Sequence, residues 1–345
     1  MNKLHGIQYL RGLAALAVVV FHAAERAGHH FTIGAAGVDV FFVISGFIMW
    51  VIADGRALTP AKFMADRLKR IAPPYWIVTL IMVAGGLAGL FPNLVLSWQH
   101  IIGSLFFIPS RSPSDGHVWP ILVQGWTLNY EMLFYAVFAV FALSLLMPGK
   151  WRLPAMTGVF AALTLFGILF APQDPILATY TRPIVLEFLL GAFIGKWWLA
   201  GGLPAPAFGV AGIAVGLGGF AVIGITGMAF DEWLCGPLAG ALVAGALILE
   251  RGGMLGHSAV LSYLGDSSYS VYLWHTLAVS VVVKCGNQLS APSSLLVVAG
   301  VVFGTALGAA AYELIEKPIA RMVKGEFRWP GRKTALQGSS VGGKG

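Results

Sequence analysis

Ten apolar windows follow one another along the chain, with short polar connections between them. They lie at about 7–26, 37–53, 74–92, 126–147, 154–171, 183–200, 208–226, 232–249, 267–284 and 293–315. A helix needs about 20 mostly apolar residues to cross the hydrocarbon core of a bilayer. The windows therefore predict an all-α polytopic membrane protein with about ten transmembrane helices. A further apolar run at 100–109 is too short to span and is predicted to be re-entrant or interfacial.

The composition agrees with this prediction. Hydrophobic residues make up 57% of the 345 positions and charged residues 11%, and the mean hydropathy is +0.79. A soluble domain carries about 25% charged residues. We expect one membrane domain over residues 1–325, followed by a basic cytoplasmic tail at 326–345 that is rich in Gly, Ser and Lys and predicted to be disordered.

The basic residues predict the orientation of the helices. When the N-terminus is placed in the cytoplasm, only four of the 22 Lys and Arg residues fall outside, namely Arg26, Arg111, Arg182 and Lys284. Arg11 lies within the membrane, and the remaining basic residues face the cytoplasm. The positive-inside rule therefore predicts that both termini are cytoplasmic. The net charge of +7 is explained by topology, and no nucleic-acid partner is expected.

The first window carries two ionisable residues on one helix face. Arg11 and His22 are eleven residues apart, which returns to within about 20° of the same face and spans about 16 Å along the axis. Such residues are costly in lipid and usually face an internal cavity. The two cysteines, Cys235 and Cys285, stand alone, so no metal site or disulfide is predicted and packing roles are expected.

Several motifs occur in a recognisable order. They are RGLAALAVVVFH at 11–22 with GVDVFFVISGFIM at 37–49, RLKRIAPPYW at 67–76, WTLNYEMLFY at 126–135, LGDSSYSVYLWH at 264–275 and IEKP at 315–318. Together they resemble the acyltransferase type 3 family of bacterial integral-membrane acyltransferases, over about 6–319. The segment IQYLRGLAALAVVVFHA also resembles the branch of the family that acetylates exopolysaccharides. The resemblance implies location in the bacterial inner membrane and acyl transfer with acetyl-CoA as co-substrate and no bound cofactor.

Acyl transfer to a hydroxyl needs a general base whose pKa lies near the working pH. Histidine meets this requirement, and His22 is the candidate. A transient acyl-imidazole on His22 is the chemical alternative, and an interhelical or interfacial histidine is the structural one. Arg11 is the candidate to grip a phosphate or carbonyl of the donor. Its alternative role is a topology anchor whose side chain extends to the interface.

Two carboxylates complete the candidate catalytic set. Asp39 opens the second predicted helix, where it either stabilises the helix start or orients His22. Glu131 lies about two turns inside the fourth predicted helix, with no neighbouring basic residue in sequence. A buried carboxylate needs a partner, so Glu131 could pair with Arg182, orient His22 or bind acceptor hydroxyls.

The donor and acceptor sites have their own candidates. Arg67 and Arg70 could bind the phosphates of CoA, although the positive-inside rule explains them as well. Trp126 and Tyr130 could form a sugar-binding platform or part of an interfacial aromatic belt. His275, near the middle of the ninth predicted helix, is expected to support the cavity together with lining residues Ser267, Ser268 and Tyr269, and an interhelical hydrogen bond is the alternative.

These observations and the family resemblance predict a membrane O-acyltransferase that moves an acyl group, expected to be acetyl, to a sugar hydroxyl. The resemblance alone implies that the donor is cytoplasmic acyl-CoA. The acceptor would be a surface or exported polysaccharide or its lipid-linked precursor, and membrane lipids are the expected surroundings. One rival is a transporter or flippase for a glycolipid or anionic solute, in which the same ionisable residues form a translocation path. Another is a membrane cytochrome with His22 and His275 as haem ligands.

Overall fold

The protein is a bundle of helices in a computed structural model, which describes residues 4–54, 58–143, 147–202 and 204–323. The α-helices in these ranges are α1 His5–Arg26, α2 Gly37–Ala53, α3 Pro60–Leu87, α4 Trp98–Leu105, α5 Trp126–Phe141, α6 Gly149–Phe170, α7 Pro175–Tyr180, α8 Val185–Ala200, α9 Pro206–Thr226, α10 Glu232–Arg251, α11 Ala259–Gln288, α12 Ser293–Ala311 and α13 Lys317–Val323. Short 3-10 segments occur at Thr32–Ala36 and Val123–Gly125, and a π-helical turn occurs at Tyr312–Glu316. These ranges contain no β-strand.

The predicted fold class is confirmed. Each of the ten predicted windows overlaps one helix, although α3 begins at Pro60, well before its window, and α5 ends at Phe141, before the end of its window; the short run at 100–109 contributes to α4. Within the described ranges, eight helical stretches are long and apolar enough to cross a membrane. The two windows outside this set are α5, which has 16 residues, and α11, which carries several polar residues. The count of ten spans and the cytoplasmic position of both termini stay predictions.

We refer to the end of the bundle where α1 begins as the predicted cytoplasmic side, and to the opposite end as the predicted outer side. The predicted tail at 326–345 lies outside the described residues. So do Lys3 and Arg56, which contributed to the orientation.

Close contact between α1 and α11 depends on two glycines. A Cβ atom added at Gly265 would lie 2.2 Å from the Gln8 carbonyl oxygen, and one at Gly12 would lie 2.8 Å from Leu264 Cβ. Small residues let membrane helices approach closely where burial from water provides no driving force. This contact places Arg11 beside the serines of α11.

Two prolines interrupt the hydrogen bonds of α3. Pro73 and Pro74 lie inside the helix and have no N–H to donate to the preceding turn, which carries the basic residues Lys69 and Arg70. Tyr269 of α11 donates a hydrogen bond from its hydroxyl to the Ile71 carbonyl at 2.7 Å. This bond fastens the basic segment of α3 to α11.

Candidate active site

A cavity of about 310 Å³ opens among α1, α2, α3, α5 and α11, mainly in the half of the bundle nearer the predicted cytoplasmic side. We call it the inner cavity. Its polar lining residues are Gln8, Arg11, Ser45, Arg67, Arg70, Thr127, Glu131, Tyr135, Ser268, Tyr269 and Tyr272. Six residues that the sequence predicts for the site, from motifs far apart in the chain, therefore meet in one chamber.

Arg11 reaches from α1 to α11. Its Nη2 atom donates a hydrogen bond to Ser268 Oγ at 3.0 Å, and Ser268 Oγ donates in turn to the Gly265 carbonyl at 2.8 Å. Arg11 is partly exposed where it lines the inner cavity. Ser268 therefore engages one nitrogen of the guanidinium, and the other N–H groups of Arg11 are available to a ligand.

Two more arginines line the same cavity from α3. Arg67 is partly exposed, with its guanidinium carbon 5.8 Å from the centre of the Phe63 ring. Arg70 is exposed, which places it where the cavity opens. Three guanidinium groups and one carboxylate, that of Glu131, face this space, so the lining favours an anion.

Glu131 lies deeper, between α2 and α5. Its Oε1 atom accepts hydrogen bonds from Ser45 Oγ at 3.2 Å and from the Tyr135 hydroxyl. The suggested pairing with Arg182 is wrong, because Arg182 forms its ion pair with Glu232 at the predicted outer side. The two hydroxyls that hold Glu131 were not identified from the sequence. Tyr135 could have been, since it follows Glu131 by one helical turn.

His22 and His275 form a pair at the outer end of this region, with 5.2 Å between their ring centres. Nδ1 of His275 lies 2.9 Å from the Val271 carbonyl, which can only accept, so Nδ1 carries the proton and Nε2 of the neutral ring is an acceptor. His275 is fully buried and its Nε2 has no partner among the described residues, whereas His22 is partly exposed. Arg11 and His22 both contact α11, which confirms their shared face.

The structure places Asp39 away from this pair. Asp39 lies in the first turn of α2 and is fully buried, and the neighbouring carboxyl group is that of Glu187 in the first turn of α8. No hydrogen bond joins Asp39 or Glu131 to His22 among the described residues. The suggestion that either carboxylate orients His22 is therefore wrong for this conformation, and Asp39 has the structural position at a helix start.

Trp126 and Tyr130 also differ from the prediction. Their rings pack edge to face, 5.7 Å apart, and both contact the ring of Phe42. In the described part of the chain, neither residue lines the inner cavity or the second cavity described next. They do not form a platform facing either cavity.

A second cavity of about 500 Å³ lies on the predicted outer side, and we call it the outer cavity. Its lining includes Arg26, Asn93, His100, Ser112, Ser114, Asp115, Trp119, Val123, Thr276, Ser280 and Lys284. These residues come from the outer ends of α1 and α11 and from the segment that connects α3 to α5. For that segment the sequence predicted a re-entrant or interfacial run at 100–109.

A thin layer separates the two cavities. Tyr272 lines the inner cavity and Thr276, one turn further along α11, lines the outer cavity. One helical turn corresponds to about 5.4 Å. The Tyr272 hydroxyl contacts Thr127 Oγ1 at 3.1 Å and donates to the Gln124 carbonyl at 3.2 Å. We call this layer, made of Tyr272, Thr127 and Gln124 together with the neighbouring His22–His275 pair, the partition; neither histidine lines either cavity.

One acidic residue outside the predicted set lies near the inner cavity. Glu316, in the π-helical turn after α12, accepts a hydrogen bond from Ser270 Oγ at 2.6 Å. It is also close enough to Arg11 and Arg70 to interact with them electrostatically.

The fold and the site define a multi-pass membrane protein with polar chambers that approach each other from opposite sides. The chain belongs to the acyltransferase domain family, whose model matches residues 4–313. This membership confirms the family resemblance that the ordered motifs carry.

Two relatives narrow the comparison. The chain is 57% identical over 303 residues to the exopolysaccharide production protein ExoZ of Rhizobium meliloti (strain 1021), which covers 88% of this chain and 95% of the relative. It is 30% identical over 299 residues to BcsY of Komagataeibacter xylinus, a candidate membrane-bound transacylase, which covers 79% of this chain and 72% of the relative. No solved structure matches the chain. The similarity to ExoZ agrees with the narrower resemblance to the exopolysaccharide branch.

Proposed function

We propose that the protein is an inner-membrane O-acyltransferase. In this proposal it transfers an acyl group, which we take to be acetyl, from cytoplasmic acyl-CoA to a sugar hydroxyl of a surface or exported polysaccharide or its lipid-linked precursor. Membership of the acyltransferase family and the name of the ExoZ relative support this proposal. The observation that carries it is the inner cavity, where three arginines face one chamber on the predicted cytoplasmic side.

The inner cavity suits the donor. CoA carries several phosphates, and guanidinium groups form charge-assisted, often bidentate, hydrogen bonds with phosphate oxygens. Arg70 and Arg67 lie on the cytoplasmic part of α3 and receive the nucleotide end, while Arg11 lies between them and the partition. The acyl end then points towards the partition.

The chemistry takes place where the two substrates meet. The His22 imidazole takes the proton of the acceptor hydroxyl as that oxygen attacks the thioester carbonyl. The new C–O bond forms, the C–S bond breaks, and the proton passes from the imidazolium to the departing thiolate, which leaves as CoA. Tyr272 lines the inner cavity and its hydroxyl contacts Thr127 and the Gln124 carbonyl. We expect these contacts to break when the acyl group of the donor reaches His22.

The test is release of CoA thiol from acetyl-CoA by the purified protein in lipid nanodiscs. It is run with and without a crude surface-polysaccharide extract, and compares wild type with His22→Ala. His30→Ala is the matched control, because His30 is an exposed loop histidine. We expect acceptor-dependent release that disappears in His22→Ala and persists in the control. A folded wild-type protein that releases no CoA with any acyl-CoA and extract would refute acyl transfer.

The two opposed cavities also suit a transporter, and this is the second candidate function. A transporter for a glycolipid or anionic solute would use the same partition as a gate and form no bond. It would show uptake into sealed vesicles that does not depend on an acyl donor. CoA release without such uptake supports the enzyme.

A further inference from the structure

The outer cavity collects the positive charge of the predicted outer side. Four basic residues are predicted to face outside, and two of them are engaged elsewhere. Arg182 pairs with Glu232, and Arg111 donates hydrogen bonds to the Gly116 and Gln173 carbonyls. The other two, Arg26 and Lys284, both line the outer cavity. Basic residues are few on the predicted outer side, yet two of the four line the same cavity.

Within the described residues, neither of these two cations forms a salt bridge. Arg26 Nη1 donates a hydrogen bond to the Thr276 carbonyl at 3.3 Å. The carboxylate in the lining, Asp115, accepts from the His117 backbone N–H at 3.1 Å and has the His117 ring nitrogen 3.6 Å away. The outer cavity is therefore lined by two cations and one carboxylate, which leaves it with an excess of positive charge.

The rest of the lining suits a sugar. Trp119 is partly exposed in the wall, and an aromatic ring can pack against the apolar C–H face of a pyranose. His100 lies in the same wall, with its Nε2 2.7 Å from the Trp119 carbonyl, so Nδ1 of the neutral ring is an acceptor. That Nδ1 is buried and has no partner within the described residues. Asn93 and Ser280 add further polar groups.

The cavity also lies next to the partition. Arg26 follows His22 by four residues on α1, which is about 6 Å along the helix axis and close to the same face. The Thr276 carbonyl that receives its hydrogen bond belongs to the residue after His275. The backbone of Arg26 thus lies about one helical turn from that of His22, and the Arg26 guanidinium contacts the residue that follows His275.

We propose that the outer cavity binds the acceptor as a saccharide with a negatively charged group. Arg26 and Lys284 bind the anion, Trp119 packs on a sugar ring, and the hydroxyl to be acylated points to His22. The anion is either a carboxylate on the glycan or the phosphate of a lipid-linked precursor. This proposal rests on the proposed function, which leaves the acceptor's charge open.

The test measures apparent KM for the acceptor with the full chain in zwitterionic nanodiscs. Arg26→Gln and Lys284→Gln are compared with wild type and with Arg111→Gln, an outer cation absent from the cavity lining. The probe is an acidic surface-polysaccharide extract. We expect KM for the extract to rise about tenfold in either cavity variant, as loss of one charge-assisted contact predicts. KM for acetyl-CoA is expected to be unchanged, and Arg111→Gln to behave as wild type.

Treatment of the probe distinguishes the two sources of charge. If the anion is a glycan carboxylate, chemical reduction of the carboxyl groups raises the wild-type KM to that of the variants. If the anion is a lipid-linked phosphate, carboxyl reduction leaves the wild-type KM unchanged. Removal of the phosphate together with its lipid then raises the wild-type KM to that of the variants. Equal KM values for all variants and for every treated extract would overturn the proposal.

A binding measurement separates this proposal from the proposed function. Equilibrium binding of radiolabelled acidic fragments from the extract to His22→Ala nanodiscs needs no turnover. Binding that weakens in the double variants with Arg26→Gln or Lys284→Gln supports the cavity even if wild type releases no CoA. If wild type shows acceptor-dependent CoA release but the affinity for the fragments is the same in all variants, the cavity proposal is refuted and acyl transfer is still supported.

Discussion

Replacement of Arg11 by lysine tests whether the inner cavity recognises the donor. Arg11→Lys keeps the positive charge but loses the fork of N–H groups, including the Nη2 that donates to Ser268 Oγ at 3.0 Å. The lysine ammonium cannot both contact Ser268 and present a pair of parallel donors to a phosphate or carbonyl. The variant should therefore bind the donor less tightly, while the arrangement of the partition residues is unchanged.

The expected size follows from the lost hydrogen bond. A hydrogen bond to a charged group contributes about 1.5–3 kcal/mol, and each 1.4 kcal/mol corresponds to about a tenfold change in affinity. KM for acetyl-CoA should rise about 10- to 100-fold in Arg11→Lys. The turnover number should stay within about threefold, since an interaction made equally in the ground state and the transition state affects KM alone.

The assay is the initial rate of CoA-thiol release against acetyl-CoA concentration at saturating acceptor. Ser268→Ala and the double variant complete a cycle, and contacting residues typically couple by about 0.5–3 kcal/mol. Lys69→Arg is the matched control, because Lys69 is an exposed cation of the same segment and is absent from the inner-cavity lining. Unchanged KM with a reduced turnover number in Arg11→Lys, or additive single effects in the cycle, would refute the reasoning. An equal loss of donor binding in His22→Ala would argue against separate roles for the two residues.

Three further predictions concern the remaining site residues and the helix packing. Glu131→Gln replaces the carboxyl group that accepts from Ser45 and Tyr135 with an amide, and kcat/KM should fall about tenfold or more without loss of the folded protein in size-exclusion chromatography. Asp39→Asn should keep kcat/KM within about fivefold, or about 1 kcal/mol, and a loss as large as that of His22→Ala would restore a catalytic role. Gly265→Ala should destabilise the bundle by about 1–3 kcal/mol in thermal unfolding, because its Cβ would lie 2.2 Å from a backbone oxygen of α1. Gly158→Ala is its control, since nothing lies within 4 Å of the added atom.

The positions of the helices followed from local features of the chain. A membrane-length apolar window and a bilayer of fixed thickness predict a helix without knowledge of its neighbours. The same holds for the shared face of Arg11 and His22, which depends only on the 3.6-residue period of α1. The ordered motifs identified the family for a related reason, because each motif is a short contiguous string.

The partners of the polar residues did not follow in this way. Arg182 pairs with Glu232 on α10, and Asp39 lies beside Glu187 on α8. Helical periodicity states which face a side chain occupies, but the neighbouring helix depends on how the bundle packs. For Glu131 the sequence left pairing with Arg182 and orientation of His22 open, whereas the structure pairs it with Ser45 and Tyr135; binding of acceptor hydroxyls stays a prediction.

The two cavities and the partition were decided by tertiary structure alone. Arg67 and Arg70 satisfied the positive-inside rule wherever α3 packed, and only the contacts of α1, α3 and α11 turned them into the wall of one chamber with Arg11. Trp126 and Tyr130 had the composition of a sugar platform, yet the packing of α5 directs both against Phe42. The chain thus encodes its spans and charged faces locally, whereas close helix contacts, such as that at Gly265, determine which faces enclose a site.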